Sequence, residues 1–120
     1  MTMAGYKTDR TSEDIKRELV ALLRELKDPR VKDKMLTVVR VEVSRDLSVA
    51  KVYVSALEGL STAKAAVEGL KSATGYLRRE VGGRLGLRKT PELRFLADDS
   101  VERGMEIFEK MKHISGGEDA

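Results

Sequence analysis

The sequence predicts an α+β fold in which helices cover one face of a three-stranded sheet, in the order α-β-β-α-kink-α-β with a C-terminal helix. Three features of the 120 residues carry that prediction. Apolar residues recur at helical spacing in three separate stretches, and two short valine-rich runs alternate with polar residues. Each of these segments is apolar on one side only, so a second layer has to bury it.

The first helix is expected to open at Thr11 or Ser12, whose hydroxyls suit an N-cap. Glu13 and Asp14 then stand in the first turn, where carboxylates meet the positive end of the helix dipole. Ile15, Leu19, Leu22, Leu23 and Leu26 form its apolar stripe, and Asp28-Pro29 ends it because proline drives its predecessor out of the α region. From Thr37 to Ser44 the period drops to two, with Val39, Val41 and Val43 alternating with Arg40, Glu42 and Ser44. Ala50, Val52 and Val54 repeat the pattern between Val49 and Ala56, and the short link Arg45-Asp46 makes the two runs an antiparallel pair.

Ser61 is placed to cap the next helix, in which Ala63, Val67, Leu70, Thr74, Leu77 and Val81 keep the 3.6-residue period. Ala73-Thr74-Gly75 interrupts it, and a mid-helix glycine costs about 1 kcal/mol relative to alanine. Because the amphipathic phase survives, the stretch reads as a kinked helix or as two helices meeting closely. Gly82, Gly83 and Gly86 are expected to stop it. A third strand, Glu92 to Ala97, follows Thr90-Pro91 and turns Leu93 and Phe95 to one face. The last helix starts at Asp98-Asp99-Ser100, with Asp99 and Glu102 spaced as a capping box and Val101, Met105, Phe108 and Met111 as its stripe. All these stripes are expected to be buried between the layers.

Composition narrows the function. The chain is 41% hydrophobic and 36% charged, which suits one folded domain. We expect a flexible basic arm over 1–10, the domain over 11–112, and a disordered tail over 113–120. Cysteine is absent and His113 is the sole histidine, so no thiolate site, zinc cluster or Cys–His pair can be assembled. No phosphate-binding Gly-Lys-Ser/Thr motif or GxGxxG occurs. The expectation is therefore a binding protein and not an enzyme, with no cofactor and no metal. No apolar run approaches the roughly 20 residues of a membrane span, and the missing cysteines suit a cytoplasmic protein.

The charges are nearly balanced, 23 basic against 20 acidic, but they are unevenly placed. Lys64, Lys71 and Arg78 recur every seven residues on the side opposite the apolar stripe, and Arg79, Arg84, Arg88 and Lys89 extend the cluster. Between Lys71 and Lys89 only Glu80 is acidic. Glycines beside such a cluster let phosphates approach backbone amides, and a helix N-terminus at the kink adds a positive dipole. Gly83-Arg84-Leu85-Gly86 spells the GxxG of KH domains, but Pro91 follows where a second helix should run, so these glycines read as a helix stop.

The chain resembles the bacterial ribosome-binding factor A family over residues 7–112. The resemblance rests on Lys27-Asp28-Pro29-Arg30, Val43-Ser44-Arg45-Asp46-Leu47, Ala50-Lys51-Val52-Tyr53-Val54 and Ala73-Thr74-Gly75-Tyr76-Leu77-Arg78. It continues through Leu87-Arg88, Pro91-Glu92-Leu93-Arg94-Phe95 and Asp99-Ser100. It implies a type II KH-like fold in which an Ala-x-Gly kink replaces the GxxG between two helices. It also implies binding to the immature small (30S) ribosomal subunit and 16S rRNA, with a role in late 16S rRNA maturation and cold adaptation. Ala73, Thr74 and Gly75 fall on the family's kink, and Arg78, Arg88 and Lys89 within its basic surface. Lys64, Lys71, Arg79 and Arg84 join the RNA-binding set on charge placement alone. Tyr53 and Tyr76 are candidates for stacking on a base, with packing equally open for Tyr76. We expect a monomer with no DNA or membrane partner. The alternative is a protein-interaction module with no direct RNA contact, whose binding would be insensitive to salt.

Overall fold

The computed structural model describes the backbone of residues 2–119 and the side chains of residues 9–114. The valine runs form β1 (Leu36–Val43) and β2 (Val49–Ala56), paired antiparallel as expected. The third strand, β3 (Glu92–Asp98), lies parallel to β2, so the sheet order is β1-β2-β3. The alternation in β1 is not strict. Val38 faces Val54 and Val41 faces Val52, with the register shifting between Val38 and Arg40. Val39 is the extra residue of this bulge, which swaps the face of everything before it. Val38, 3% exposed, therefore takes the inward place expected for Val39.

Three helices cover the inner face: α1 (Thr2–Leu23), α2 (Leu60–Ser72) and α3 (Thr74–Leu85). Ile15, Leu19, Leu22, Ala66, Val67, Leu70, Leu77 and Val81 join Val52, Val54, Leu93 and Phe95 in one buried core. These elements give the α+β, KH-like arrangement, with the two consecutive helices α2 and α3 meeting at Ala73.

Several local expectations are corrected. The first helix starts at Thr2, so Thr11 and Ser12 are interior residues and not caps, and the stretch expected as an arm continues the helix. No proline interrupts residues 2–11, and Ala4, Lys7 and Arg10 favour helix. Side chains of the expected arm before Asp9 and of the tail after Ile114 lie outside the described residues. The same helix ends at Leu23, ahead of Asp28-Pro29, where Glu25 N–H turns back to Leu22 O at 3.0 Å. Leu26 still packs on the core from the following turn.

Gly82 and Gly83 are helical, and only Gly86, at φ 61°, closes α3 in the left-handed conformation that glycine adopts without strain. The cap of α2 is also not Ser61. Gly59 holds that position at φ 117° with no side-chain bond of its own, and the Glu102 carboxylate accepts Leu60 N–H at 3.1 Å. That contact removes Glu102 from the expected capping box. Asp98 instead accepts Ser100 N–H at 2.6 Å, and these bonds to Ser100 hold its carboxyl below the usual carboxylate range.

The last helix, α4 (Ser100–Asp119), departs most from expectation. Its first turn crosses the outer face of the sheet, where Val101 N–H donates to the buried Ser55 hydroxyl at 3.2 Å. Beyond that turn it leaves the domain: Met105, Phe108 and Met111 are 44%, 58% and 62% exposed instead of buried. The radius of gyration is accordingly 16.8 Å, against about 13.6 Å for a compact chain of this length.

Candidate nucleic-acid interface

The break between α2 and α3 is a single residue. Ala73 sits at φ −97°, ψ 8°, in the bridge region between helix and strand geometry. Its N–H is shared between Gly69 O (3.2 Å) and Leu70 O (3.1 Å), and its carbonyl accepts Leu77 N–H at 2.9 Å. Thr74 Oγ1 donates to Leu70 O at 3.2 Å, occupying a carbonyl at the end of α2. No side chain caps α3, whose positive dipole end lies at this break. Gly75 is exposed, and a Cβ there would meet nothing within 4 Å. The helix angle therefore does not depend on Gly75; what glycine provides is open access to the backbone.

Around this break the basic residues fall into three groups. Lys64 and Lys71 line a shallow groove of about 410 Å³ between α2 and β3, floored by Val67, Phe95 and Ala97. Lys71 is 3.5 Å from Glu68. At the other end of β3, Arg79, Arg88 and Lys89 are exposed and form no ion pair among the described residues. Lys89 lies close enough to the β1–β2 turn to help hold Asp46 ionised. That carboxyl is lowered to about 2, chiefly by the Ser48 and Ser44 hydroxyls.

Arg78 and Arg84 form the third group and are already occupied. Arg78 donates twice to Thr90 O, at 3.2 and 2.7 Å, and ties α3 to the loop before β3. The approach is tight, because a Cβ on Gly82 would collide with Thr90 Oγ1. Arg84 stands among three carboxylates, Glu80 at 3.5 Å, Glu25 at 3.6 Å and Glu18 at 3.9 Å. The equal seven-residue spacing of Lys64, Lys71 and Arg78 thus does not mean equal availability.

Sequence reasoning missed Arg30. Its guanidinium binds Asp28 at 2.7 Å and approaches Ser72 Oγ at 3.4 Å, one residue before the break. The Arg30 side chain and amide together hold the Asp28 carboxyl at about 2. The Lys27-Asp28-Pro29-Arg30 motif was its signal, but nothing local says that the turn docks on α2. Gly69, above which Val31 and Asp28 sit at contact distance, makes that docking possible. Tyr53 has one ring face covered by Arg40, 3.9 Å from the centroid, and its hydroxyl donates to Glu42 at 3.0 Å. Tyr76, 38% exposed beside the break, is the more available ring.

Comparison with known proteins points to one family. The family model described as ribosome-binding factor A matches residues 7–111. A ribosome-binding factor A of Clostridium tetani is 42% identical over 118 residues, spanning 98% of this chain and 97% of its own. That of Caldanaerobacter subterraneus is 43% identical over 116 residues, 96% of this chain and 94% of its own. Among solved structures, a Thermotoga maritima protein given the same family name, studied by solution NMR, superposes with a TM-score of 0.70 at 37% identity. It covers 81% of this chain and 92% of that one. A Thermus thermophilus ribosome-binding factor A, fitted as a homology model into an electron cryo-microscopy map of a 30S complex, gives 0.57 at 34% identity. It covers 69% of this chain and 86% of that one.

Proposed function

Since this chain belongs to the ribosome-binding factor A family, we propose that it binds the small (30S) ribosomal subunit through 16S rRNA and supports late 16S rRNA maturation, including in the cold. It does so as a cytoplasmic monomer and without catalysis. The observation that carries the reading is a cluster of exposed cations, Arg79, Arg88 and Lys89, that form no ion pair among the described residues, on a chain otherwise almost neutral. Its binding surface comprises Lys64, Lys71, Ala73, Thr74, Gly75, Arg78, Arg79, Arg84, Arg88 and Lys89, on a domain spanning 11–112. Within that set Arg79, Arg88 and Lys89 are free to neutralise phosphates. Arg78 and Arg84 hold the loop and helix that present them. Gly75 lets the sugar–phosphate backbone approach the first amides of α3.

Binding to purified small subunits across a salt series tests this. Replacing Arg79, Arg88 and Lys89 together by alanine should lower the slope of log affinity against log salt by about 2 to 3, at 0.7 to 0.9 per phosphate contact. Replacing Lys51, Arg94 and Lys110, exposed on other faces, removes the same charge and should leave most of the slope. Equal losses in the two variants would assign the attraction to net charge and remove this surface's special standing.

A further inference from the structure

At the β1 edge of the sheet lies a concavity of about 730 Å³. It runs between the C-terminal half of α1, the turn segment 24–35 and the start of β1, with Leu57 and Val101 forming its far side. Its floor is apolar and open to solvent: Val20, Leu57 and Met35 are 37%, 45% and 63% exposed. Scattered apolar residues on a surface need no explanation, but three sharing one concavity do. The groove is also held in shape. Val31 and Lys32 N–H both return to Asp28 O, at 2.9 and 2.8 Å. Met35 N–H reaches the Glu58 carboxylate at 3.0 Å, and Leu57 N–H reaches Met35 O at 3.0 Å.

The rim supplies the sign of the occupant. Arg24, Lys27, Lys32 and Lys34 border the groove against Glu25 and Asp33, while the nearby Glu58 carboxylate is occupied by Met35 N–H. Glu25 is turned aside to Arg84 at 3.6 Å. We propose that this groove docks an acidic amphipathic helix of another protein, its apolar side chains on Val20, Met35 and Leu57 and its carboxylates on the four cations. An RNA strand would satisfy the rim but not the floor, since sugars and phosphates lose hydration against aliphatic side chains without gaining hydrogen bonds. A helix with apolar residues on one face satisfies both. The groove lies at the β1 edge of the sheet, whereas Lys64 and Lys71 lie beside β3 at the other edge.

Fluorescence anisotropy with the full chain provides the test. The probe is a synthetic helical peptide with Leu and Phe at i, i+3, i+4 and i+7 and Glu on both flanks. The controls are the same peptide with Lys for Glu, and a twelve-residue oligouridine. The acidic peptide should bind at least tenfold more tightly than the basic one. Met35→Asp, and separately Lys32→Glu with Lys34→Glu, should each weaken it tenfold or more without shifting the melting temperature. Substituting Arg79, Arg88 and Lys89 by alanine should leave peptide binding unchanged even where it lowers subunit binding. Equal binding of both peptides, or oligouridine binding lost with Met35→Asp, would overturn the proposal. Concentration-dependent self-association of the chain abolished by Met35→Asp would assign the groove to a second copy and overturn it too.

Discussion

In α2 and α3 the apolar residues Ala63, Val67, Leu70, Leu77 and Val81 are all at most 5% exposed, whereas Met105, Phe108 and Met111 of α4 remain 44–62% exposed. Both stretches repeat apolar residues at helical spacing, so the pattern alone does not separate them. What separates them is room. Three strands at about 4.8 Å spacing offer a face roughly 14 Å wide, and helices about 10 Å across, α1 and α2 side by side with α3 completing the layer, leave no apolar part of it open. That face is covered once α1 has met β1 and α2 has met β3. The outer face stays open but polar, with Arg40, Glu42, Lys51 and Arg94 exposed on it, and α4 meets it for one turn only, through Ser55. An amphipathic stripe states that a helix has something to cover; it does not state that the same domain has space for it.

The largest expected effect breaks this comparison directly. Val52 is fully buried under the helices, so Val52→Asp places an unpaired charge in the core and should abolish the cooperative thermal transition. Phe108→Asp, at a residue 58% exposed, should leave the melting temperature nearly unchanged. A large destabilisation by Phe108→Asp, followed by circular dichroism, would mean that α4 packs on the domain after all.

A second variant probes a contact between α4 and α2. Glu102→Ala removes the side-chain acceptor of Leu60 N–H at the start of α2, a loss of about 1 kcal/mol typical of a helix cap. Denaturant unfolding should detect it, and no change would show that water replaces the carboxylate at no cost.

The third prediction concerns two adjacent glycines of α3. Gly83 faces open space in a helix interior, so Gly83→Ala should stabilise by about 0.5–1 kcal/mol. Gly82→Ala should destabilise, because its Cβ would strike Thr90 and push the loop that carries Arg88 and Lys89. Equal effects at the two positions would remove the close approach as a constraint.

The smallest effect is confined to acid. Asp28 and Asp46 ionise near 2 in the fold, against about 3.9 in an unfolded chain. Because the folded values are depressed, the stabilisation is complete above about pH 4 and is lost as pH falls through 2. Asp28→Asn combined with Asp46→Asn should therefore lower the melting temperature at pH 7, and the gap from the parent should close toward pH 2. A gap of the same size at both ends would show that these carboxylates do not confer the pH dependence.

The family motifs and the buried stripes were legible in the sequence because they are local. Apolar spacing reports which face of an element is covered, and Ala73-Thr74-Gly75 interrupts a helical run in a way that any neighbour-by-neighbour reading detects. The cation row was legible only in part. Lys64, Lys71, Arg78, Arg79, Arg84, Arg88 and Lys89 look alike along the chain. Their availability is set by distant partners: Thr90 O for Arg78, and Glu18, Glu25 and Glu80 for Arg84. The misplaced caps have the same origin, since Glu102 serves a helix start forty-two residues earlier in place of its own.

By itself, then, the sequence determined the number and kind of elements, the two-layer core and the family. Each of these follows from side-chain polarity repeated at the period of a helix or a strand. Only the tertiary structure decided which cations are free, which residue the β1 bulge turns inward, and that α4 has no apolar sheet face left to cover. Those outcomes depend on distances between groups far apart in the chain, and on a finite inner face that earlier elements had already filled.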